Sequence, residues 1–440
     1  RSTPLYSSAA SDVYKRQLPD SGGVEVRVVV RPLPTTVRDL VPAGTRYVTL
    51  FLCNGRTPRE KPYQDSGFVF QISMQVTCSV GFVPRRNPRG TRPDDELDEQ
   101  IADLQYRDSY EFGVGHGIAV VGKVKTSGPA ELPFCDTVCT TCVPSVEVEK
   151  VRPGPVPGAN LSMDALGALP DGAALRQALG SLVTQYRDWI SKQREVPLSE
   201  PLRQDTCKTL LDAATVACNR IAAGIELLAT DPVAFAAFVL CNQAMSAQSK
   251  QRAKITQRSE APPTWYPFQL AFLLMNEASQ VDPFHPEREA VDLLFFPTGG
   301  GKTEAYLGLA AFTLCLRRLR NPNDTAAGVT VLMRYTLRLL TLDQLERAAT
   351  LICALEQLRR KDPTRLGSRR FCVGLWVGKA ATPNRFGTSK DYDETLAINR
   401  VREFNKDPVH SPSPIPLERC PWCGEAFSQN TFKLKPPEAP

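Results

Sequence analysis

The residues of this chain best suited to chemistry are a lysine and a threonine that follow three glycines. Gly299, Gly300 and Gly301 precede Lys302 and Thr303. Glycines let backbone N–H groups approach an anion closely, and the N-terminus of a following helix adds partial positive charge. A lysine in this place reaches the β- and γ-phosphates of a nucleotide, and the threonine hydroxyl binds Mg²⁺. The spacing therefore predicts a nucleoside triphosphate and Mg²⁺ site, with Lys302 and Thr303 as its catalytic pair and Thr303 as the Mg²⁺ ligand.

The flanking residues predict the elements that would position this pair. The apolar run 293–296 is typical of a buried parallel strand, and residues 304–319 favour a helix. Two further strands are predicted at 328–333 and 371–377, with a helix over 342–360 between them. The sequence therefore predicts an α/β fold with a βαβαβ order and right-handed crossovers.

The glycine loop departs from the usual phosphate-loop pattern in one position. Phe296 stands where a glycine is usual, and Pro297-Thr298 leads into the three glycines. This Pro-Thr-Gly-x-Gly-Lys-Thr form resembles motif I of superfamily 2 helicases, which implies that the nucleotide contacts extend from Pro297 to Glu304. A chance glycine turn before a helix is the alternative interpretation.

An aromatic-Pro-Phe-Gln group precedes the glycine loop by about thirty residues. It runs from Trp265 to Leu270 and contains Gln269. It resembles the segment upstream of motif I in helicases, where a glutamine reads the adenine edge. Gln269 is therefore expected to select ATP; the alternative is a polar residue near a helix start.

A basic segment follows the second predicted strand. Arg334, Thr336 and Arg338 resemble the Thr/Arg loop with which superfamily 2 enzymes grip the nucleic-acid backbone. Residues 317–370 hold twelve Lys or Arg and five Asp or Glu. This excess indicates a DNA track, unless the charges are simply the outer faces of two helices.

Two groups of cysteines have spacings that metals use. Cys420-Pro421-Trp422-Cys423-Gly424 is half of a zinc knuckle, and we expect zinc there if a second cysteine pair follows. Cys135, Cys139 and Cys142 form C-x₃-C-x₂-C, which is compatible with an iron–sulfur loop, a zinc or redox role, or inert core cysteines.

Composition is that of an ordinary globular chain. The 440 residues carry a net charge of +6 and are 42% hydrophobic. No segment has the length and apolarity of a membrane span, so no membrane partner is expected. Most of the cysteines lie singly in apolar runs, which favours a reducing, cytoplasmic location.

Changes of period and composition predict five regions. They are a terminal artefact of DNA sequencing (1–17), a β-rich domain (18–152), a helical domain (161–258), a first helicase lobe (259–384), and a linker that begins a truncated zinc-binding insertion (385–440).

Several of these segments together resemble one family. Residues 267–272, 296–306, 331–341 and 374–378 are similar to the DrmA family, the helicase-like component of the bacterial DISARM anti-phage system. The resemblance implies an incomplete RecA-like parallel sheet. It also implies an ATP-dependent DNA translocase whose partners are DNA, a second core subunit and a DNA methyltransferase.

An acidic motif II is not recognisable, since Asp393-Glu394 follows no strand-like run. Such a motif is required for hydrolysis, so the chain is expected to be an N-terminal fragment with little turnover of its own. Two functions remain open: part of a DNA motor, or a phosphate-loop protein whose nucleotide only switches partner binding.

Overall fold

A computed structural model gives the fold of this chain. It describes residues 12–38, 41–85, 95–125, 133–141, 154–198, 200–257, 261–294, 301–322, 328–335, 338–377, 382–383, 385–388 and 390–433. These residues form two units: Arg1–Glu149 with Pro197–Thr209, and Lys150–Val196 with Leu210–Pro440. The fold is mixed α/β.

The first unit contains two small antiparallel sheets. One has the order β1 (Asp12–Gln17), β2 (Val24–Pro32), β3 (Arg46–Asn54). The other has the order β4 (Gln75–Phe82), β6 (Cys135–Thr141), β5 (Ala119–Gly122). Two helices accompany them, α1 (Thr35–Arg38) and α2 (Leu97–Gln105), with a 3₁₀ turn at Tyr63–Gly67.

The sequence predicts four strands in this region, at 24–30, 47–52, 68–76 and 117–124. Three of them coincide with β2, β3 and β5. The fourth was expected over 68–76, whereas residues 68–74 form no strand and β4 begins at Gln75. The interpretation of residues 1–17 as an artefact stays a prediction; within them, Asp12–Gln17 pairs along β2. An edge strand offers unpaired N–H and C=O groups, so an adjacent extended segment can pair with it whatever its side chains are.

The second unit is built mainly of helices. They are α3 (Met163–Leu166), α4 (Gly172–Arg194), the larger part of α5 (Pro201–Thr230), α6 (Pro232–Ile255), α7 (Pro267–Val281), α8 (Lys302–Arg320), α9 (Arg338–Lys361), α10 (Pro363–Leu366) and α11 (Ala397–Lys406), with a 3₁₀ turn at Pro286–Glu289.

Side-chain caps set where several of these helices begin. The Asp171 carboxylate accepts from the Ala174 N–H at 2.8 Å, and α4 starts there. Asp231 caps α6 in the same way, followed by a proline suited to the first turn. Ser162 caps the short α3, and Gly167 and Pro170 separate that helix from α4.

The core of this unit lies between α6, α7 and α8. Fully buried side chains include Phe238 of α6, Leu273 of α7 and Phe312 of α8. Since about 25 cal/mol is gained per Å² of apolar surface buried, this helix layer is the natural source of the unit's stability.

The residues expected to form the parallel strands are arranged differently. Where the structure describes them, at 293–294, 328–333 and 371–377, they form no strand. Several of their large side chains are exposed, including Leu293 at 85% and Leu332 at 73%. A strand satisfies its backbone only through a neighbour, and no strand lies beside these described residues.

No single helix in the described part of the chain is long and apolar enough to cross a membrane. One pair of consecutive helices, α5 and α6, has the length and apolar composition of a membrane span when the two are taken together, but the pair is bent by 106°.

Candidate nucleotide site

The N-terminus of α8 carries the two residues expected to bind phosphate. Gly301 is the N-cap, with φ of +85° and ψ of +25° in the left-handed region. Lys302 and Thr303 are the first helical residues, and both are half-buried. A left-handed N-cap favours glycine, and a helix start offers free N–H groups to an anion. Pro297, Thr298, Gly299 and Gly300 lie outside the described residues.

Gln269 fixes the position of Gly301. Its amide nitrogen donates to the Gly301 carbonyl at 2.8 Å, and its amide oxygen accepts from the Tyr266 N–H at 2.8 Å. The side chain is only 3% exposed. A Cβ on Gly301 would lie 2.7 Å from the Gln269 amide nitrogen, so only glycine fits. Adenine contact by Gln269 stays a prediction, and the structure gives this residue a second role in holding the loop.

Trp265 anchors the same region to the core. Its ring is 1% exposed, and its indole N–H donates to Asn242 Oδ1 of α6 at 2.8 Å. The six-membered ring lies against α8 at Gly308, where an added Cβ would be 2.7 Å from Cη2. Trp265 therefore fixes the spacing between α6 and the helix that begins at Lys302.

An ion pair links the first turn of α8 to α9. Glu304 Oε1 accepts from Arg347 Nη2. Their side chains are 36% and 18% exposed, so water screens this pair less than it would a surface pair. Glu304 could be predicted from the sequence but Arg347 could not, because a partner 43 residues away leaves no local pattern.

A second arginine anchors the chain that enters the glycine loop. Arg220 of α5 binds Asp292 in a two-point contact of 2.6 and 2.9 Å, and its Nε lies 2.6 Å from Glu287 Oε2. Asp292 comes five residues before Pro297. Arg220 is 14% exposed, and its pKa is raised by the Asp292 hydrogen bonds against the effect of burial. This contact could not be predicted either, because Arg220 and Asp292 are far apart in the sequence.

The residues expected to contact DNA are only partly described. Arg334 is exposed in a segment without regular structure, Arg338 is the first residue of α9, and Thr336 lies outside the described residues. Their grouping around the start of α9 therefore remains a prediction, as does the role of each.

Much of the positive charge of 317–370 has a structural partner. Arg318 donates to the Arg370 carbonyl at 3.2 Å and lies over the Phe371 ring at 5.0 Å. Arg320 donates to the Val281 carbonyl at 2.6 Å, and Arg359 binds Glu356 at 2.7 Å. These cations close the C-terminal ends of α8 and α9, where positive charge is favourable. The alternative interpretation of this charge thus accounts for part of it.

Cys420 and Cys423 lie together on one tight turn. The Gly424 N–H donates to the Cys420 carbonyl at 2.9 Å, and Gly424 has a φ of +74°. Burial acts to raise the pKa of the Cys420 thiol, but hydrogen bonds from Cys423 and Trp422 outweigh it and leave the pKa lowered. A turn that stabilises a thiolate suits a soft metal, and zinc at this pair stays a prediction.

A third thiol lies near this turn. Thr350 of α9 donates to the Pro421 carbonyl at 2.9 Å. One helical turn further, Cys353 has a pKa raised by burial and then by Cys420 and Cys423. Even so, no three Cys, His, Asp or Glu side chains within the described ranges are arranged to hold a metal ion.

Cys135 and Cys139 lie on β6, which is paired on both sides. Cys135 is fully buried, and burial raises the pKa of its thiol. Cys142 lies outside the described residues. The core interpretation therefore describes Cys135 best.

Comparison with known proteins identifies the family. No protein-family model matches the chain. Over 407 residues it is 31% identical to the DISARM protein DrmA of Bacillus paralicheniformis (strain ATCC 9945a), a match that covers 86% of this chain and 34% of that protein. The chain thus spans about a third of the length of this curated relative. On this evidence the chain belongs to the DrmA family.

Proposed function

We propose that this chain is the nucleotide-binding part of an ATP-dependent DNA translocase that serves DISARM anti-phage defence. The observation that carries the proposal is the N-terminus of α8. There a left-handed Gly301 is followed directly by Lys302 and Thr303 in the first helical turn. This is the arrangement in which backbone N–H groups, a lysine and a hydroxyl bind a triphosphate with Mg²⁺.

The surroundings support a site that is built in advance. Gln269, Trp265 and the Arg220–Asp292 contact hold the residues on both sides of the glycine loop. Such anchors reduce the ordering cost of binding a ligand. Lys302 would hold the β- and γ-phosphates, Thr303 the Mg²⁺, and Gln269 the adenine edge.

The proposed fold of this region is a RecA-like lobe. Residues 293–296, 328–333 and 371–377 would be its parallel strands, side by side in one sheet. Several of their side chains are large, apolar and exposed. Apolar runs of this kind are typical of strands that a parallel sheet covers on both faces, which supports the proposal.

The proposed partners follow from family membership. The relative is named a DISARM protein, and we propose that this chain acts with other DISARM subunits, including a second core subunit and a DNA methyltransferase. Arg334, Thr336 and Arg338 would contact the DNA backbone.

Nucleotide binding by the Lys302→Ala variant tests the proposal. Loss of the ammonium should weaken binding of a fluorescent ATP analogue with Mg²⁺ at least tenfold, with an unchanged melting temperature. Lys361→Ala, at the exposed end of α9, is the matched control and should bind as the wild type does. Equal affinities for wild type and Lys302→Ala would refute the assigned site.

A further inference from the structure

The ion pair between Glu304 and Arg347 connects two elements that the proposed function uses separately. Glu304 follows Thr303 directly in the first turn of α8. Arg347 belongs to α9, which begins at Arg338. Arg347 lies nine residues after Arg338, which is about 14 Å along the helix at 1.5 Å per residue. Arg338 is the last residue of the segment proposed to contact DNA.

Helix α9 is held on α6 at this same residue. The Gln248 side chain of α6 is 4% exposed, and its amide nitrogen donates to the Arg347 carbonyl at 3.1 Å. The helices α6 and α8 also pack directly on each other through Cys241, whose Sγ lies 3.2 Å from the Gly308 carbonyl. Arg347 is thus the place where α9 touches both the core helix and the start of α8.

Arg347 has a feature that costs folding free energy and that a residue with only a packing role would not need. Its Nε is buried and has no hydrogen-bond partner among the described residues. A buried unsatisfied N–H destabilises the folded state, and each such group in a native protein calls for an explanation. The charge is nevertheless placed against the turn that would receive a triphosphate.

A second arginine lies near this pair. Arg252 of α6 has a pKa lowered by burial and then by the positive charge of Arg347, while the carboxylates of Glu304, Glu346 and Asp343 act in the opposite direction. The Glu304 carboxylate therefore lies among several charged groups of α6 and α9. An added triphosphate would compete with Glu304 for the positive charge of Arg347, which changes the strength of the Glu304–Arg347 pair.

We propose that the Glu304–Arg347 pair couples nucleotide binding at the start of α8 to DNA binding at the start of α9. This inference rests on the proposed function. Arg347 acts through Glu304 and α9, so it is a positioning residue rather than a catalytic one. Energetic coupling between two ligands is reciprocal and is measured as a change in one affinity on adding the other.

The experiment measures the affinity of the full chain for a fluorescein-labelled 30-nucleotide DNA, as single strand and as duplex, with and without saturating Mg-ATP. The wild type should show at least a fivefold change in DNA affinity on adding Mg-ATP. Arg347→Gln should bind each ligand alone within threefold of the wild type, but its change in DNA affinity on adding Mg-ATP should fall below twofold. Arg347→Lys keeps the positive charge for a single-point contact with Glu304, so it should retain at least half of the wild-type change in DNA affinity.

Arg360→Gln is the matched control, since Arg360 lies on the same helix, is 63% exposed and pairs with Glu356. Its coupling should be that of the wild type. If Arg347→Gln loses its helical circular dichroism, Arg347→Met replaces it, because a methionine keeps the apolar stem packed. Wild-type coupling in Arg347→Gln or Arg347→Met would overturn the inference, as would a wild type that binds both ligands independently. A wild type that binds neither ligand would instead refute the proposed function.

Discussion

The helix layer and the strand-like segments of the second unit contrast sharply, and two tryptophans show the difference. Trp265, between α6 and α8, is 1% exposed and donates its N–H to Asn242. Trp376, in the last strand-like segment, is 98% exposed. Both belong to the region proposed to form a RecA-like lobe, but only Trp265 is buried in a hydrophobic core.

The contrast follows from how the two kinds of element satisfy their backbone. A helix makes its hydrogen bonds within itself, and an apolar stripe then needs only one partner surface. A parallel strand needs neighbours on its edges and covered faces. The helices α6, α7 and α8 meet their requirement within this unit, while the strand-like segments do not among the described residues.

The largest effect is expected when the helix layer is opened at its centre. Trp265→Ala removes a fully buried ring and its hydrogen bond, and should lower the free energy of unfolding by about 3–5 kcal/mol. Denaturant unfolding followed by far-ultraviolet circular dichroism measures this. A loss below about 1 kcal/mol would show that the ring is not part of the core.

A smaller loss is expected from added volume at the same contact. Gly308→Ala places a Cβ 2.7 Å from Trp265 Cη2, and overpacking of this kind costs about 1–3 kcal/mol. Gly180→Ala on α4 is the control, because nothing lies within 4 Å of its added Cβ. That control should stabilise the chain by roughly 0.5–1 kcal/mol through helix propensity. Equal shifts in the two variants would contradict the packing described.

The buried carboxyl of Glu277 makes the helix layer sensitive to pH. This residue of α7 is 0% exposed, and neither of its oxygens has a hydrogen-bond partner among the described residues. Burial raises its pKa well above the ordinary value of 4.5. Between 4.5 and the raised pKa, the unfolded chain releases a proton that the folded chain keeps, so stability falls as pH rises through this window.

Glu277→Gln removes that dependence. Its stability relative to wild type should increase from pH 4 to pH 8, by about 1.4 kcal/mol for each pH unit between 4.5 and the raised pKa. Glu226→Gln, which removes an exposed carboxylate paired with Arg176, should show no comparable rise over this range, because water screens exposed ion pairs. A Glu277→Gln difference that does not change with pH would show that the carboxyl is solvated.

The smallest effect is expected in the strand-like segment. Trp376→Ala should change the free energy of unfolding by less than about 0.5 kcal/mol, as exposed substitutions do. A loss comparable with that of Trp265→Ala would contradict the exposure seen in the structure and would show that Trp376 is covered, as the proposed parallel sheet requires.

The sequence predicted the helices better than the strands for the same physical reason. Periods of three and four residues located α4 to α6, and the run after Lys302 located α8. These signals are local. Pairing partners are not local, so apolar runs such as 328–333 could be recognised as strand-like without showing whether a neighbour lies beside them.

The site was predictable to the same extent. Gly301, Lys302 and Thr303 could be predicted as site residues from the order of glycine, lysine and threonine. Gln269 could be predicted from its position about thirty residues before the glycine loop. Arg347, Arg220 and Cys353 could not, because each acts through a fold contact with a residue tens of positions away. The second role of Gln269, as the donor to Gly301, was equally invisible in the sequence.

Hydrogen–deuterium exchange with and without Mg-ATP tests the central claim most directly. If a triphosphate binds the backbone N–H groups at the start of α8, exchange should slow at residues 299–304 and at the adjoining Gln269 segment. Peptides from β2 and β3 should be unchanged. Protection confined to other parts of the chain, or no protection at saturating Mg-ATP, would contradict a nucleotide site at Lys302 and Thr303.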